Sequence, residues 1–475
     1  MKIITIIVLA LSTLLMGCSG ETNEAKAETK SITIGGSEYI VPKYVFQNEP
    51  FNYTVLENGE LKELSGVISK SALEGCCDFY VGSIDDKPQY INIPTYPEVP
   101  YVGPPLTLPA NQTHVIKVSL NTEPLESLSD QVADISWRQT SGESSYETDA
   151  SGLSLTFDTS MVTEIERWVF AVKVTTAQGH TFEREKVVFV VPQNDWLSAT
   201  QIYQGPRSSE IAVRENNSFV YLEGDLKFAS TDYYFSEVLD QPIKLVASDN
   251  IQAHVVTENN QLRAYRNGNE SIILQDFGNI TEMVGVSSAR TTTLIVNEEG
   301  NVFSSYGDYN LGQELSDAVS VTPQLSYNVY LNQQGEIVDE RSGVTLAQNI
   351  QQLSVFAYLT DAGRVGIIED EFGVIGLVAK ELSVFNQYND YTYVTSPNLG
   401  ETPFDNTVFA LRENNTVVSN ARLPPTLENI IQLSGSSALH RDGWVYHMNS
   451  DGKQGLLPNP VNLTQDAFER FLDSQ

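Results

Sequence analysis

The chain has 475 residues, and 28 lysines and arginines stand against 61 aspartates and glutamates, for a formal net charge of −33. That balance argues against nucleic acid as a partner, because phosphate contacts need basic patches. With three cysteines it is no disulfide-dense scaffold, and short runs rich in Val, Ile, Tyr and Phe with almost no helical periodicity predict an all-β chain of more than one domain.

Residues 1–17 combine a basic start at Lys2 with an apolar run from Ile3 to Met16, the form of a secretory signal peptide. Leu15-Met16-Gly17-Cys18 resembles the bacterial lipobox. The resemblance implies cleavage before Cys18 and acylation of its thiol, with the membrane as a partner through that lipid. Ser19, in place of the Asp that favours inner-membrane retention, implies the outer membrane, on its periplasmic or surface face. Residues 18–33 are polar and read as a flexible tether between lipid and folded chain. Several acyl chains on one cysteine anchor stably, since each buried methylene contributes about 0.8 kcal/mol. Cys76 and Cys77 are adjacent, which leaves open a strained vicinal disulfide or two thiols.

Residues 34–93 form a β-rich region in which Asn58-Gly59 marks a hairpin turn. Pro94, Pro97, Pro100, Pro104, Pro105 and Pro109 predict an extended, semi-rigid linker over 94–109, without a central strand. Residues 110–192 carry HVIKVSL, ADISWRQTSG, LSLTFDT, RWVFAVKVTTAQGH and EKVVFVV. Trp168, Phe170, Val172 and Val174 alternate with smaller or polar residues, as do Ile135 and Trp137, so one face of each strand is expected to be buried. This predicts a β-sandwich. Its strand order, with Trp137, Gln139, Gly142 and Gly179, resembles polycystic kidney disease (PKD)-type immunoglobulin-like domains. The usual Asp before the final Gly turn is replaced by the segment TTAQ. The resemblance implies a spacer or adhesive module without catalysis.

Residues 205–460 repeat one hairpin. Its turn position holds Asn217, Asn260, Gly300, Gly335, Gly363, Asn415 and Gly443, the residue types that reach the left-handed region most readily. Four positions earlier stand Val213, Val256, Val296, Leu331, Leu359, Leu411 and Leu439; two positions later stand Phe219, Leu262, Val302, Ile337, Val365, Val417 and Val445. Three before the turn the column is polar throughout: Arg214, Thr257, Asn297, Asn332, Thr360, Arg412 and His440. One hairpin cannot bury its apolar face alone, whereas repeats stacked around an axis can. A β-propeller of about seven blades is expected. The long interval between Gly363 and Asn415 leaves room for an eighth, and an open solenoid is the rival. TTLIVNEEGNVFSSYGDYNLGQEL, with Tyr306-Gly307 and Gly312-Gln313, resembles the repeat of the regulator of chromosome condensation family. SSALHRDGWVYHMNSDGKQGLLP is a second copy, with Asp442-Gly443, Trp444-Val445-Tyr446 and Gly455-Leu456. That resemblance implies a seven-bladed propeller that binds proteins through loops on one face.

Residues 461–475 predict a helix capped by Thr464, with Phe468, Phe471 and Leu472 on one apolar face that packs on the propeller or docks a partner. His440 and His447 flank the last turn, but solvent exposure in the polar column accounts for His440, and no metal is expected. No nucleophile elbow, zinc helix or phosphate-cradling loop stands out. The acid pairs in GSIDDKP and IIEDEFG could serve as glycosidase carboxylates. Tyr388, Tyr391 and Tyr393 form a candidate binding loop, since tyrosines on loops suit recognition; filling a blade interior is the other reading. The expected function is therefore a lipid-anchored, non-catalytic envelope scaffold without cofactor that binds a protein or glycan. A secreted hydrolase and an envelope assembly factor are the alternatives. Exposed junctions are expected near 18–33, 94–109 and 193–205.

Overall fold

The computed structural model describes residues 29–34, 37–42, 45–46, 50–57, 60–67, 78–84, 87–92, 95–96, 99–120, 130–143, 145–149, 151–204, 210–223, 233–248, 253–266, 269–272, 277–286, 292–304, 317–323, 328–354, 356–370, 377–396, 407–420, 423, 427–448 and 458–474. Cys18, Cys76, Cys77, Tyr306-Gly307, Gly312-Gln313 and Gly455-Leu456 lie outside these residues. The chain is all-β, built from many small sheets. It divides into two compact units. One takes in the described residues up to Val99 with those of Asn121–Asp134 and Val174–Phe182, and the other comprises Pro100–Leu120, Ile135–Lys173 and Glu183–Gln475.

In the first unit, Thr29–Ile34, Ser37–Pro42, Pro50–Glu57 and Glu60–Val67 form one four-stranded sheet. Its first strand begins inside the segment read as tether. Glu57 pairs with Glu60, so two residues separate the paired strands; Asn58-Gly59, read as the hairpin turn, lie outside the described residues.

The predicted sandwich strands appear in two sheets. One orders Thr113–Lys117, Ser154–Asp158 and Tyr146–Thr148; the other orders Val132–Ser141, Glu166–Thr176, Thr181–Val191 and Leu106–Pro109. Trp168, Phe170, Val172 and Val174 are all fully buried, and Val169 and Ala171 between them are buried too, so this stretch is covered on both faces and not on one as expected. Trp137, Phe157, Trp168 and Phe170 share one core, in which the Phe157 and Phe170 rings lie 4.9 Å apart. Gly142 is fixed twice over. Its φ is +88°, and a Cβ there would stand 2.4 Å from the Trp168 ring.

The linker expected over 94–109 needs correction. Leu106–Pro109 is a buried strand, paired in parallel with Val188–Val191. Pro109 is tolerated because this strand lies at the edge of its sheet, where a missing N–H leaves no ladder incomplete.

From Ala199 to His447 the chain makes seven antiparallel sheets in succession, each an up-and-down meander of three or four strands. Their inner strands are Ala199–Gln204, Ile243–Ser248, Ile280–Val286, Ala318–Pro323, Ile350–Ser354, Tyr391–Thr395 and Ile430–Ser434. Each inner strand packs against the next, and Ile430–Ser434 packs against Ala199–Gln204. The contacts therefore return to their start. Among the described residues no ladder joins one sheet to another; side chains and single backbone bonds, such as Ile350 N to Gly335 O and Ala199 N to Gly443 O, hold the seams.

The seven hairpins behave as one design. The turn residues Asn217, Asn260, Gly300, Gly335, Gly363, Asn415 and Gly443 all have positive φ, from 59° to 84°. The two apolar columns are buried at every position and are cross-strand partners: Val213 with Phe219, Val256 with Leu262, Val296 with Val302, and so on to Leu439 with Val445. No eighth sheet lies between Gly363 and Asn415 among the described residues; that interval holds Leu377–Glu381 and the short 3-10 turn Ser383–Phe385.

The expected junction near 193–205 is also corrected. Trp196 forms a bridge with Leu463, the Thr464 amide donates to the Asp195 carbonyl, and Arg470 pairs with Asp195 at 2.8 Å. The helix Gln465–Asp473, capped by the Thr464 hydroxyl, buries Phe468 against Val191 and Leu463 and sets Phe471 edge-on to Phe189. It packs on the last sandwich strand and not on the ring of sheets.

Candidate functional site

The polar column of the hairpins was expected to face solvent. It does not: Arg214, Thr257, Asn297, Thr360 and His440 are buried, and Asn332 and Arg412 are half-buried. Four of them, Asn297, Asn332, Thr360 and His440, satisfy the tight turn that follows, whose backbone groups would otherwise lack partners. Asn297 Oδ1 accepts from the Glu299 and Asn301 amides at 3.1 and 2.9 Å, and Asn332 Oδ1 from Gln334 and Glu336 at 3.1 and 2.8 Å. Thr360 Oγ1 accepts from Arg364 N at 3.0 Å, and His440 Nδ1 from Asp442 N at 3.1 Å. His440 also stacks on Trp444, ring centroids 4.4 Å apart. Burial lowers its pKa, with Asp442 opposing. His440 is thus a turn cap, and no group of three or more potential metal ligands gathers among the described residues. His254, buried and joined to Thr293 Oγ1 at 2.8 Å, is pushed down to about 4 by burial.

With those columns occupied, the next two positions of every turn are exposed: Glu215 and Asn216, Glu258 and Asn259, Glu298 and Glu299, Gln333 and Gln334, Asp361 and Ala362, Glu413 and Asn414, Arg441 and Asp442. In each case the first of the pair donates its amide to a carbonyl just ahead of the inner strand: Ser198, Pro242, Asn279, Asp317, Asn349, Asp390 and Asn429. The seven turns therefore occupy equivalent places in their sheets and are held by the same bond, and six of the seven present at least one acid.

The inner strands share a second regularity that the sequence reading missed. Each is bulged after its first residue, and the register resumes at Gln201, Leu245, Glu282, Ser320, Gln352, Tyr393 and Gln432. Four of these side chains cross a seam. Gln432 Oε1 accepts from Ile202 N at 3.0 Å while its Nε2 donates to Ile202 O at 2.8 Å. Gln352 does the same to Val394, at 3.0 and 3.3 Å. Ser320 reaches Leu353 O at 3.1 Å and Glu282 Oε1 at 2.9 Å. The signal lay in the strings TEMV, QQLS and IQLS, where a polar residue stands one place before a buried aliphatic. Without the bulge in hand, that residue reads as one more exposed alternation.

The candidate loop tyrosines do not act together. Tyr391 is buried, its hydroxyl donating to Phe385 O at 3.1 Å, and burial pushes its pKa up to about 12. Tyr393 occupies the post-bulge position of the sixth inner strand, and its hydroxyl is raised by burial. Tyr388 alone of the three is exposed; Arg412 lies 3.7 Å over its ring and makes two 2.8 Å bonds to Asp390. Of the acid pairs, Glu369 is matched by Lys380 at 3.2 Å, while Asp85 and Asp86 lie outside the described residues.

The ring closes on Asn462, which is buried. Its Nδ2 donates to Leu197 O at 3.0 Å and Gly443 O at 2.7 Å, and its Oδ1 accepts from Val445 N at 3.2 Å. One amide thereby ties the entry to the first sheet to the hairpin of the seventh. Between the second and third sheets the seam is steric: a Cβ on Gly285 would meet the Ser248 carbonyl at 1.6 Å.

No family model matches the sequence, and no curated protein does. Among solved structures, human WBSCR16 is similar at 9% identity and a TM-score of 0.35 over 57% of this chain and 85% of that one. YCF48 bound to D1 peptide is similar at 11% identity and a TM-score of 0.34 over 54% and 93%. BamB from Moraxella catarrhalis is similar at 12% identity and a TM-score of 0.29 over 66% and 98%. Likenesses this slight carry no argument about the site.

Proposed function

We propose that this chain is a lipid-anchored scaffold of the bacterial cell envelope, in which a PKD/immunoglobulin-like sandwich supports a seven-bladed β-propeller that binds a protein partner through its hairpin turns. One observation carries the reading: of seven equivalent turns, pinned by the same backbone bond, six present Glu215, Glu258, Glu298, Glu299, Asp361, Glu413 and Asp442 to solvent. A rigid, repeated surface of this sort pre-organises contacts, so that little ordering entropy opposes binding. Its sign favours a partner rich in Lys and Arg, attracted over roughly a Debye length of ~8–10 Å. The Leu15-Met16-Gly17-Cys18 lipobox supports the envelope location.

The test has two arms. Fatty-acid labelling should mark the wild type and leave Cys18→Ala unmarked. Pull-down from envelope extract should recover a basic protein with the wild type and lose it when Glu215, Glu258, Glu298 and Glu413 are changed to Gln. A retained glycan, or a partner recovered equally by the neutralised variant, would refute the turn-face reading.

A further inference from the structure

We infer that Glu282 is a neutral carboxylic acid standing in for the seam glutamines, clasping the fourth sheet as Gln352 and Gln432 clasp their neighbours, and that loss of its proton loosens the ring at this one seam. The argument begins with equivalence. Glu282, Gln352 and Gln432 each follow the bulge of an inner strand. The glutamines bond to both main-chain groups of one residue in the next sheet, Val394 or Ile202. The residue in that place opposite Glu282 is Val321, and its amide donates to the Glu282 carboxyl. A glutamine offers one acceptor and one donor. A carboxylate offers acceptors only, whereas a protonated acid again offers both. The proton therefore completes the clasp by facing the Val321 carbonyl.

The surroundings favour the neutral form. Glu282 is half-buried by accessible surface, yet the protein around its carboxyl desolvates it. Burial pushes its pKa up from 4.5 to about 8, only partly offset by bonds from Ser320 and the Val321 amide. Among the described residues no cation relieves it. Lys244, on the second inner strand, is committed to Asn279 Oδ1 at 2.9 Å and Ile280 O at 2.6 Å. Thr292–Asn297 carries no charged residue, and Ala318–Pro323 brings Ser320. Tyr330, on the fourth sheet's second strand, responds to Asp317, Glu340 and Glu336. From the sixth sheet comes Tyr393, whose own proton is held more tightly by burial and, once Glu282 is ionised, by that charge.

The sign of the linkage follows. Between pH 4.5 and about 8 the folded chain holds a proton that the unfolded chain has lost. Stability from this group is thus full below the lower value, falls as pH rises, and levels off above the upper one. Each pH unit in that window raises the unfolding constant about tenfold.

Urea unfolding of the full chain between about pH 5 and about pH 9 tests this. Glu282→Gln should match the wild type at the acid end and unfold with at least a tenfold smaller constant at the alkaline end. Gln432→Glu should add a second, similar pH dependence. A Glu282→Gln variant with the wild-type pH dependence would overturn the inference. Difference infrared spectroscopy on the unmodified chain gives a readout that needs no variant to fold. One carboxylic-acid C=O band should persist at neutral pH and vanish at about pH 8; disappearance of every such band together with the ordinary carboxyls would also overturn it.

Discussion

The sandwich and the ring bury comparable β faces in different ways. The sandwich concentrates its core in Trp137, Phe157, Trp168 and Phe170, large rings that reach between two sheets. The ring distributes its core over small aliphatic clusters that pack each sheet against the next, with polar clasps such as Gln352, Gln432 and Asn462 added at some seams. The core that contains Trp168 nevertheless continues into Phe409, Leu411, Ala438, Tyr446 and Met448 of the sixth and seventh sheets. Lys117 on the sandwich reaches Glu428 at 2.5 Å, and His114 stands edge-on to Trp444, ring centroids 5.6 Å apart. The difference teaches that a concentrated aromatic core places a large share of its burial on single residues, whereas a ring of small clusters spreads it over many.

Four substitutions sharpen or break that contrast. Trp168→Ala should have the largest effect, about 3–5 kcal/mol, because truncation leaves a cavity that the flanking strands cannot fill. Calorimetry should show the sandwich and the last ring sheets failing in one transition; a separate ring transition left at the wild-type temperature would mean the shared core couples nothing. Asn462→Ala should come next, at about 1–3 kcal/mol, since the Leu197 and Gly443 carbonyls and the Val445 amide lose a buried partner. Limited proteolysis should then cut first between residues 193 and 204, where the wild type resists; unchanged cutting would show that closure rests elsewhere. Thr464→Ala removes the cap on the C-terminal helix and should cost about 1 kcal/mol by urea unfolding. A larger loss would mean that the helix holds the junction more firmly than its buried Phe468 suggests. Tyr388→Ser should change stability by no more than about 0.5 kcal/mol, since the residue is exposed. If it abolishes partner capture with melting unchanged, recognition extends to this loop; a marked fall in melting temperature would place the tyrosine in the core beside Tyr391.

The ring's hairpins were legible for a local reason. A turn residue with positive φ and the cross-strand pair that flanks it lie within seven residues, so Gly300 with Val296 and Val302 records the geometry directly. The same reasoning misjudged the polar column. Polarity marks a side chain as needing partners, and whether water or the turn backbone supplies them depends on what covers the strand. Asn297 and His440 are covered, and they bond inward. The prolines misled in a comparable way: Pro109 was read for what it forbids at the centre of a sheet, while its strand sits at an edge.

By itself the sequence determined the all-β character, the sandwich strands and the seven matched hairpins, because each rests on dihedral preference and periodicity over a few residues. Only the tertiary structure decided how those hairpins close on one another. The bond from Gln432 to Ile202 spans 230 residues, and that from Asn462 to Leu197 spans 265. No local pattern encodes such a pair, since its partner is backbone and could be any residue. The same holds for Glu282. A glutamate in a strand is ordinary in sequence, and it becomes a buried acid only when the bulge turns it toward a seam that another sheet completes.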